Sequence, residues 1–570
     1  MNRTHALAAA VLSLALATSS PRLFAQDDKD HHDHHFEFRP DSLVLSRSVY
    51  VGTADTVTIG ETLPRGCAGG PNGTTTVVVP TATNGTVDVM VTCGIASDNG
   101  EFPNLLDSHN VWNNSGSDGS FGVSSPIFLD NLSTDGRLLD TLSIPSDRIV
   151  TSFSSKSELA LNRSIDGRSI TFMGYQGGPG CGGFPVSPTA PNLVDVSASS
   201  TPAICDPTNS VITSFVSTPI VPTAYYRAVA EVNGDGHLAI TDGNAYSGDN
   251  GRAAIKGANG MYYMVGNDNS GNLGKKQLPI TPIGIELINA TGAETLVPGG
   301  VAPVPPNIGM IGRLQFDGDK PGKDTNFRGM TIFNNTLFIT KGSGGNGINT
   351  VYQVGSTGTL PTGTAADLAN VPIAILPGFP NTAASTNTSF PFGIWFANAT
   401  TLYVCDEGDG LMANPPVNGN IADAQSLATA GLQKWSLING TWTLLYVLQD
   451  GLNIGVPYSV ANYPAALNPA TGGCRNITGQ HNHDGTVTIY AITSTLSNNG
   501  DQGADPNKLV KVSDRLVATT LPTANGDSDH DRDDRIGHFT IIRSAKAGEV
   551  FRGVALAPEG GDEGHDQHDH

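Results

Sequence analysis

Near its C-terminus the chain reads Phe551-Arg552-Gly553-Val554-Ala555-Leu556-Ala557-Pro558, a strand-like stretch that no further strand follows. It resembles Phe327-Arg328-Gly329-Met330-Thr331-Ile332-Phe333 in the middle of the chain, and residues 251–255 and 391–396 are more weakly similar to it. The middle copy opens a unit of several strands, whereas the last copy stands alone. A lone opening strand at the end of the chain predicts a ring of sheets that is closed by joining the two chain ends.

Units of four strands repeat along the sequence. The clearest unit has strands at 327–333, 336–340, 350–354 and 371–376, and the next has strands at 392–397, 402–405, 432–437 and 442–447. Asn439-Gly440 between the last two is a strong signal for a type I′ hairpin turn. Three further units span 156–248, 250–316 and 455–545, with inner strands predicted at 159–161, 253–255 and 457–460.

The first strands of the chain form an incomplete unit. Strands at 43–50, 126–130 and 138–144 lack an inner partner, and the stretch at 551–558 supplies it. Four-stranded units in tandem are the blades of a β-propeller. The sequence therefore predicts an all-β, six-bladed β-propeller closed by pairing of N- and C-terminal strands, with a seventh blade as an alternative inside the long excursion 52–125.

The N-terminal residues predict export. Arg3 precedes an apolar run at 6–17 that is too short to span a bilayer, and residues 1–25 are therefore interpreted as a secretory signal peptide. The predicted organisation is then a disordered His/Asp-rich tail at 26–40, a propeller at 41–558 with insertions, and a second such tail at 559–570. The insertions are predicted at 52–125, 177–224, 406–430 and 463–482.

The composition favours strands and excludes some partners. The chain has 68 Gly and 36 Pro, and only 15% of its residues are charged, which is typical of short strands and tight turns. A net charge of −21 argues against binding to nucleic acid, because phosphate binding needs clustered Lys and Arg. We expect a monomeric, secreted protein without a membrane span or an organic cofactor.

The chain contains six cysteines, an even number that suggests disulfides in an exported protein. Fifteen pairings are conceivable for six cysteines. Proximity along the chain favours Cys67 with Cys93, Cys181 with Cys205, and Cys405 with Cys474.

Several phrases of the sequence resemble those of exported bacterial β-propeller proteins, most of which have no assigned function. The resemblance covers roughly 110–558 and lies in Thr401-Leu402-Tyr403-Val404-Cys405-Asp406-Glu407, in Gly431-Leu432-Gln433-Lys434-Trp435-Ser436 with Gly440-Thr441-Trp442-Thr443-Leu444, in Asn244-Ala245-Tyr246-Ser247-Gly248 and in the closing stretch 551–558. It implies the fold but carries no catalytic signature. Cys405 stands where such relatives are expected to have a small residue, which fits an added disulfide to Cys474.

Clustered carboxylates predict calcium sites at two places. Loops between strands that converge on a propeller axis contain Asp317, Asp319, Asp324, Asp406, Glu407 and Asp409. Such oxygen ligands suit Ca²⁺, and a solvated acidic rim is the alternative. An EF-hand-like spacing of oxygen ligands also occurs at Glu231, Asn233, Asp235 and Asp242. The alternative there is a β-hairpin with a Gly-Asp-Gly turn.

Basic and His-rich residues suggest two more functions. Arg252, Arg328 and Arg552 recur at the starts of inner strands, where they either line the central tunnel as anion ligands or tie one blade to the next. Closure of the ring would also bring the two tails together. The histidines of the tails are candidate ligands for Zn²⁺, Ni²⁺ or Cu²⁺: His31, His32, His34, His35, His565, His568 and His570. The alternative is that the tails only make the protein more soluble.

The sequence favours a secreted binding or interaction scaffold for an extracellular ligand or protein, stabilised by calcium in one version of the hypothesis. The first alternative is a propeller enzyme, such as a lyase, lactonase or esterase-like hydrolase, that uses loop carboxylates. The second alternative is extracellular capture of transition metals by the His-rich tails. No residue can be assigned a catalytic role from the sequence.

Overall fold

A computed structural model of the chain gives its fold. The structure describes residues 36–49, 62–63, 74–80, 86–92, 94–103, 110–114, 124–146, 148–153, 155–176, 212–215, 227–243, 245–246, 251–266, 285–293, 308–311, 326–342, 348–368, 370–382, 389–463, 465–497, 503, 505–522 and 536–560. Six small antiparallel sheets form a six-bladed β-propeller. The predicted fold class is thereby confirmed, and the alternative of seven blades is wrong.

Each blade has a strand next to the axis, two middle strands and an outer strand. Blade 1 contains, from the axis outward, Glu549–Leu556, Leu43–Val49, Ile127–Leu132 and Leu138–Ser143. In blade 2 the inner position is shared by Ile149–Ser152 and Asn162–Arg163, and the strands that follow outward are Ser169–Gln176, Arg227–Asn233 and Leu238–Gly243. The short strand Ser124–Ser125 pairs with Ile149–Ser152. Blade 3 contains Gly251–Lys256, Met261–Gly266, Ile285–Asn289 and Ile308–Ile311.

The remaining three blades each contain four strands. Blade 4 contains Phe327–Phe333, Thr336–Lys341, Thr350–Val354 and Ile373–Ile375. Blade 5 contains Pro391–Asn398, Thr401–Asp406, Gly431–Ile438 and Thr441–Leu448. Blade 6 contains Ala470–His481, Thr486–Leu496, Lys508–Arg515 and Thr540–Ser544. The turn at Asn439-Gly440 has φ values of 51° and 80°, as a type I′ hairpin requires.

Ring closure occurs in blade 1, where the C-terminal strand takes the inner position. Glu549–Leu556 pairs antiparallel with Leu43–Val49, with Leu43 opposite Leu556 and Val49 opposite Glu549. The Gly553 amide donates a hydrogen bond to Ser46 Oγ at 2.8 Å. The predicted closure of the ring by the two chain ends is thus confirmed.

Apolar side chains are buried between neighbouring blades, with one cluster at each of the six junctions. The sixth junction, between blade 6 and blade 1, has its own cluster, in which Tyr490 packs with Leu43 and Phe551. Representative pairs at the other junctions are Val44 with Ile170, Met173 with Tyr262, Tyr263 with Phe327, Phe338 with Phe396, and Tyr403 with Val487. Burial of these faces is the main stabilising contribution to the ring.

The inner strands are also joined by hydroxyl groups that bridge adjacent blades. Thr340 Oγ1 accepts a hydrogen bond from the Gly329 amide at 2.8 Å and donates one to the Phe392 carbonyl of the next blade at 2.6 Å. Ser46 Oγ does the same between Gly553 and the Leu159 carbonyl. The backbones approach so closely that a Cβ on Gly329 would lie 2.1 Å from the Phe392 oxygen. Glycine is therefore required at this position.

Two predicted inner strands are wrong. In blade 6 the inner strand is Ala470–His481, whereas 457–460 lies in the connection that precedes it. The predicted insertion 463–482 is therefore mostly strand. In blade 2 the inner position is divided into Ile149–Ser152 and Asn162–Arg163, which both pair with Ser169–Gln176, and the predicted strand 159–161 falls just before the second piece.

The insertions carry secondary structure of their own. The insertion 52–125 contains a hairpin in which Thr74–Pro80 pairs with Thr86–Thr92, and Ile212–Phe215 from the insertion 177–224 joins it. A second small sheet contains Thr62–Leu63, Gly94–Pro103 and Asn110–Asn114. The insertion 406–430 contains the hairpin Met412–Val417 with Asn420–Ala422 and the helix Ala424–Thr429. Ala365–Leu368 is also helical, and Ala465–Leu467 forms a 3₁₀ turn. Among the described residues no helix is long and apolar enough to cross a membrane.

The ends of the described chain are packed where the sequence predicts disordered tails. Phe38 is completely buried, and its amide donates a hydrogen bond to the Gly234 carbonyl at 2.8 Å. Glu559 N donates to the Gly167 carbonyl at 2.9 Å, and Glu559 also forms an ion pair with Arg163. The tail boundaries at 40 and 559 are therefore wrong, because apolar Phe36 and Phe38 pack against blade 2.

The predicted disulfide between Cys405 and Cys474 is confirmed. It joins a middle strand of blade 5 to the inner strand of blade 6, and both residues are completely buried. The other two predicted pairs, Cys67 with Cys93 and Cys181 with Cys205, lie outside the described residues.

Candidate functional site: the propeller axis and a basic groove

Four arginines occupy equivalent places next to the axis. Each lies at a β-bulge of an inner strand, where the register between the inner and second strands shifts: Arg252, Arg328, Arg475 and Arg552. The same place in blade 5 is taken by Phe392. Bulges re-aim a side chain out of the regular alternation of a strand, which explains how four long side chains point toward the axis.

The three predicted tunnel arginines bind oxygen atoms of the protein. Arg252 donates hydrogen bonds to Asn326 Oδ1 and, at 2.6 Å, to the carbonyl of Phe327 in the next blade. Arg328 donates to the Gly342 carbonyl at 2.8 Å and to Ser157 Oγ. Arg552 donates to the Phe153 carbonyl of blade 2. All three are buried, so this geometry corresponds to the second prediction, in which the arginines tie blades together.

Glu407 is the acidic centre of this axial cluster. Its carboxylate accepts a hydrogen bond from Arg475 Nε at 3.0 Å and lies 3.7 Å from Lys156 Nζ of blade 2. Burial alone would raise its pKa, but the charges of Lys156, Arg475 and Arg328 outweigh burial and hold the pKa at about 2. Glu407 therefore neutralises the cations of three different blades.

Asp406 and Asp409 do not converge with Glu407 on one point. Asp406 accepts hydrogen bonds from the amides of Phe390 and Gly408 and from Gln433, and burial raises its pKa to about 7. Asp409 accepts from Ser426 Oγ at 3.0 Å, and its pKa is also raised by burial.

The EF-hand-like residues lie along a hairpin. Asn233 accepts a hydrogen bond from the His237 amide in the turn, whereas Glu231 is bonded to Lys256 and Tyr262, and Asp242 is opposite Ala228 at the far end of the strands. Asp235, in the same turn, also accepts from the His237 amide. The structure thus shows the predicted alternative, the hairpin.

Metal binding stays a prediction. Within the described part of the chain no group of three or more His, Cys, Asp or Glu side chains is arranged to hold a metal ion. Asp317, Asp319, Asp324 and all seven tail histidines lie outside that part.

A cavity of about 210 Å³ lies on the axis at the other ends of the inner strands. Residues from all six blades line it, among them Leu161, Ile255, Phe333, Trp395 and Ile477. Apolar side chains share this lining with the polar residues Asn162, Arg163, Thr331 and Thr478.

A larger groove of about 610 Å³ lies beside blade 6. One wall is the connection before the blade, the other is the connection from blade 6 to blade 1, and Lys508 stands between them, opposite Ser544 in the strand pairing. The lining residues include two lysines and no carboxylate: Tyr458, Ser459, Val460, Ala461, Asn462, Lys508, Ser544, Ala545, Lys546 and Ala547. In a protein of net charge −21 this is a positive concave surface.

The buried Lys434 and the half-buried Lys508 differ in their partners, and this difference distinguishes the groove. The Lys434 ammonium is 3.0 Å from Asp514 and donates hydrogen bonds to the carbonyls of Arg515 and Ala518. Lys508 is half-buried, and its ammonium lies 3.4 Å from the centroid of the Tyr458 ring. Among the described residues the Lys508 ammonium has no hydrogen bond or ion pair in addition to this ring contact. Burial lowers the pKa of Lys508 to about 8, because the charged form has lost water and gained no carboxylate.

Sequence reasoning missed Arg475 and Lys508. Arg475 was detectable, because Cys474-Arg475-Asn476-Ile477 repeats the pattern of an arginine followed by a small residue and an apolar one. Lys508 has no comparable signal, since its importance comes from burial and from a groove lining that contains no carboxylate among the described residues.

Comparisons with known proteins give only weak likenesses. No protein-family model matches the chain, and no curated protein sequence matches it significantly. A solved structure of an apocarotenoid oxygenase (ACO) mutant from Synechocystis is similar with 9% identity and a TM-score of 0.19, covering 78% of this chain and 60% of that one. A chimera of ACO and RPE65 is similar with 11% identity and a TM-score of 0.19, covering 85% and 66%. This chain thus spans less than two thirds of either protein's length, and neither likeness supports a functional argument.

Proposed function

We propose that the protein is an exported propeller that acts as a binding scaffold and takes up a small organic anion in the groove beside blade 6. The Lys508 ammonium carries this proposal, because it is half-buried and faces a groove whose described lining offers it no carboxylate. A partly desolvated cation gains from an anion that replaces its lost hydration.

The charges around the groove favour a ligand of negative charge. Lys546 lies two residues beyond Ser544, which is opposite Lys508, so both cations are at the same end of the strand pair. A concave surface with one sign of charge concentrates counter-ions from solution. Anions are therefore favoured over the cations that the rest of this acidic surface attracts.

The remaining lining selects an organic ligand. Tyr458, Val460, Ala545 and Ala547 provide apolar surface, while the hydroxyls of the two lining serines provide hydrogen bonds. The volume of about 610 Å³ is in the range of small-molecule sites. A carboxylate attached to an apolar or aromatic body fits this combination.

Calorimetric titration of the purified protein with benzoate, citrate and inorganic phosphate tests the proposal, with uncharged benzamide as the matched control. We expect benzoate to bind and Lys508→Met to weaken it at least about tenfold, or about 1.4 kcal/mol. Lys511→Met is the control variant, because it lies three residues further along the same strand and outside the groove lining. Binding of none of the three anions, or equal binding by Lys508→Met, would refute the proposal.

The enzyme alternative gains no support from Asp406, whose two carboxylate oxygens are bonded to Phe390, Gly408 and Gln433 inside the protein. Turnover of a polysaccharide, lactone or ester that falls on substitution of Asp406 or Asp409 would favour it over the scaffold.

A second candidate function, capture of Zn²⁺, Ni²⁺ or Cu²⁺ by the tails, is favoured by where the described chain ends lie. The turn at Gly234 to Gly236 contacts Phe36 on one side and Glu559 with Gly560 on the other. The first and last described residues, Phe36 and Gly560, therefore lie at the same turn. Metal content of the purified protein with and without residues 26–35 and 561–570 tests this function, and equal metal content in the two forms would contradict it.

A further inference from the structure

We propose that Lys508 is a nucleophilic amine that forms a reversible imine with small aldehydes and α-oxo acids. The inference rests on the proposed use of the groove for organic anions and names the chemistry that this site adds to binding.

The position of the amine leaves it open to a ligand. Lys508 begins the third strand of blade 6, and its ammonium lies over the Tyr458 ring at the base of a groove of about 610 Å³. The Tyr458 hydroxyl is already bonded to the Pro506 carbonyl at 2.7 Å, which fixes the ring beneath the amine. The lysine is thus held on one side and accessible from the other.

Imine formation requires the neutral amine, since only its lone pair attacks a carbonyl carbon. With a pKa of about 8, roughly a tenth of Lys508 is neutral at pH 7 and about half at pH 8. An ordinary lysine with a pKa near 10.4 is neutral to less than about 0.1% at pH 7. The groove therefore raises the concentration of the reactive form on the order of a hundredfold.

The reaction is balanced without any other reactant. The Lys508 nitrogen forms a bond to the carbonyl carbon, and the π electrons of the C=O bond move to oxygen, which takes up a proton that the nitrogen gives up. The resulting carbinolamine loses water as the nitrogen lone pair forms the C=N bond. The net change is amine plus carbonyl to imine plus water, and hydrolysis reverses it.

The second lysine narrows the ligand class. An α-oxo acid has a carboxylate next to its carbonyl carbon, and Lys546 offers that carboxylate a cation while Lys508 attacks. Lys434, in contrast, is closed off by Asp514 and two carbonyls, so it serves as an internal reference for a buried but unreactive lysine.

Trapping with glyoxylate and cyanoborohydride tests the inference on the full chain. After digestion, mass spectrometry is expected to show Lys508 reductively alkylated at least tenfold faster than Lys511 or Lys434, with a rate that rises between pH 6 and pH 8 and levels off above it. Without the reductant, dialysis is expected to restore the unmodified mass. Lys508→Arg keeps the positive charge and is expected to abolish the modification at this peptide.

The outcomes separate this inference from the proposed function. If Lys508 is alkylated no faster than Lys511 while benzoate still binds in a Lys508-dependent way, the imine is refuted and the binding site stands. If benzoate does not bind and Lys508 is not preferentially alkylated, both fail. Preferential alkylation that benzoate suppresses supports both.

Discussion

Replacing Glu407 by Gln removes the negative charge at the centre of the axial cluster without changing the size of the side chain. The carboxylate is bonded to Arg475 at 3.0 Å and lies 3.7 Å from Lys156, and only 3% of its side chain is exposed. After the substitution, Arg475 and its neighbours remain buried without a compensating charge. We therefore expect a large loss of stability from a single neutral substitution.

The magnitude follows from the pKa of Glu407. Its pKa falls from an ordinary value of 4.5 to about 2 in the folded protein. A pKa difference of one pH unit corresponds to about 1.4 kcal/mol, so the charged form adds roughly 3 kcal/mol to the stability at neutral pH. Breaking a buried ion pair by removing one partner costs about 3–5 kcal/mol in general, which is the same range.

The lowered pKa also determines how the contribution of Glu407 to stability changes with pH. Because folding lowers the pKa, the contribution of Glu407 is present in full above about pH 4.5 and is lost as the pH falls toward about 2. Urea unfolding of the wild type and of Glu407→Gln is expected to differ by roughly 3 kcal/mol at pH 7 and by about half as much near pH 3. Glu559→Gln, whose carboxylate is 72% exposed beside Arg163, is the matched control and is expected to change little. A difference for Glu407→Gln below about 1 kcal/mol, or one that does not shrink toward pH 3, would refute the assigned charge balance.

Two further predictions concern the joints between blades. Deletion of 551–558 removes the inner strand of blade 1 and is expected to lower the melting temperature of the whole propeller, whereas an unchanged melting temperature would contradict ring closure. Thr340→Val leaves the Gly329 amide and the Phe392 carbonyl without the hydroxyl that joins them, and we expect a loss of about 1–3 kcal/mol in urea unfolding. Thr331→Val, at a half-buried position that lacks this bridge, is the control, and an equal effect of both substitutions would argue against the bridging role.

The repeat was predictable from local signals. Blades 4 and 5 are close to their predicted boundaries because β-branched and aromatic runs are separated by turns such as Asn439-Gly440, which fixes a hairpin through the backbone alone. The closing strand was recognisable because Arg552-Gly553 repeats Arg328-Gly329. In both copies glycine is required because the neighbouring blade approaches closely. The same physical requirement therefore produces the same sequence pattern in both places.

Blade 6 shows where local signals fail. Its inner strand contains Gly472-Gly473, which weakens a strand prediction, yet a Cβ on Gly473 would lie 2.2 Å from the Asp406 carbonyl. The apolar-looking stretch at 457–460 was taken for the strand instead, and it is a wall of the groove. Part of the candidate site was therefore predicted to be a strand. The burial of Lys508 could not be predicted either, because it depends on two connections that are distant in sequence.

The closing strand also determines the order in which this ring can be completed. The hydrogen bond from Gly553 to Ser46 joins residues 507 positions apart, and the strand that makes it is synthesised after every other strand of the propeller. Contacts between such distant residues form slowly, because a long intervening chain must first be brought to closure. Until then the strand at Leu43–Val49 has an unpaired edge, which is a template for pairing with another chain. A newly made molecule is therefore most vulnerable to aggregation in the interval before its last strand arrives, and a chaperone that shields the edge of Leu43–Val49 would be expected to raise the yield of folded protein.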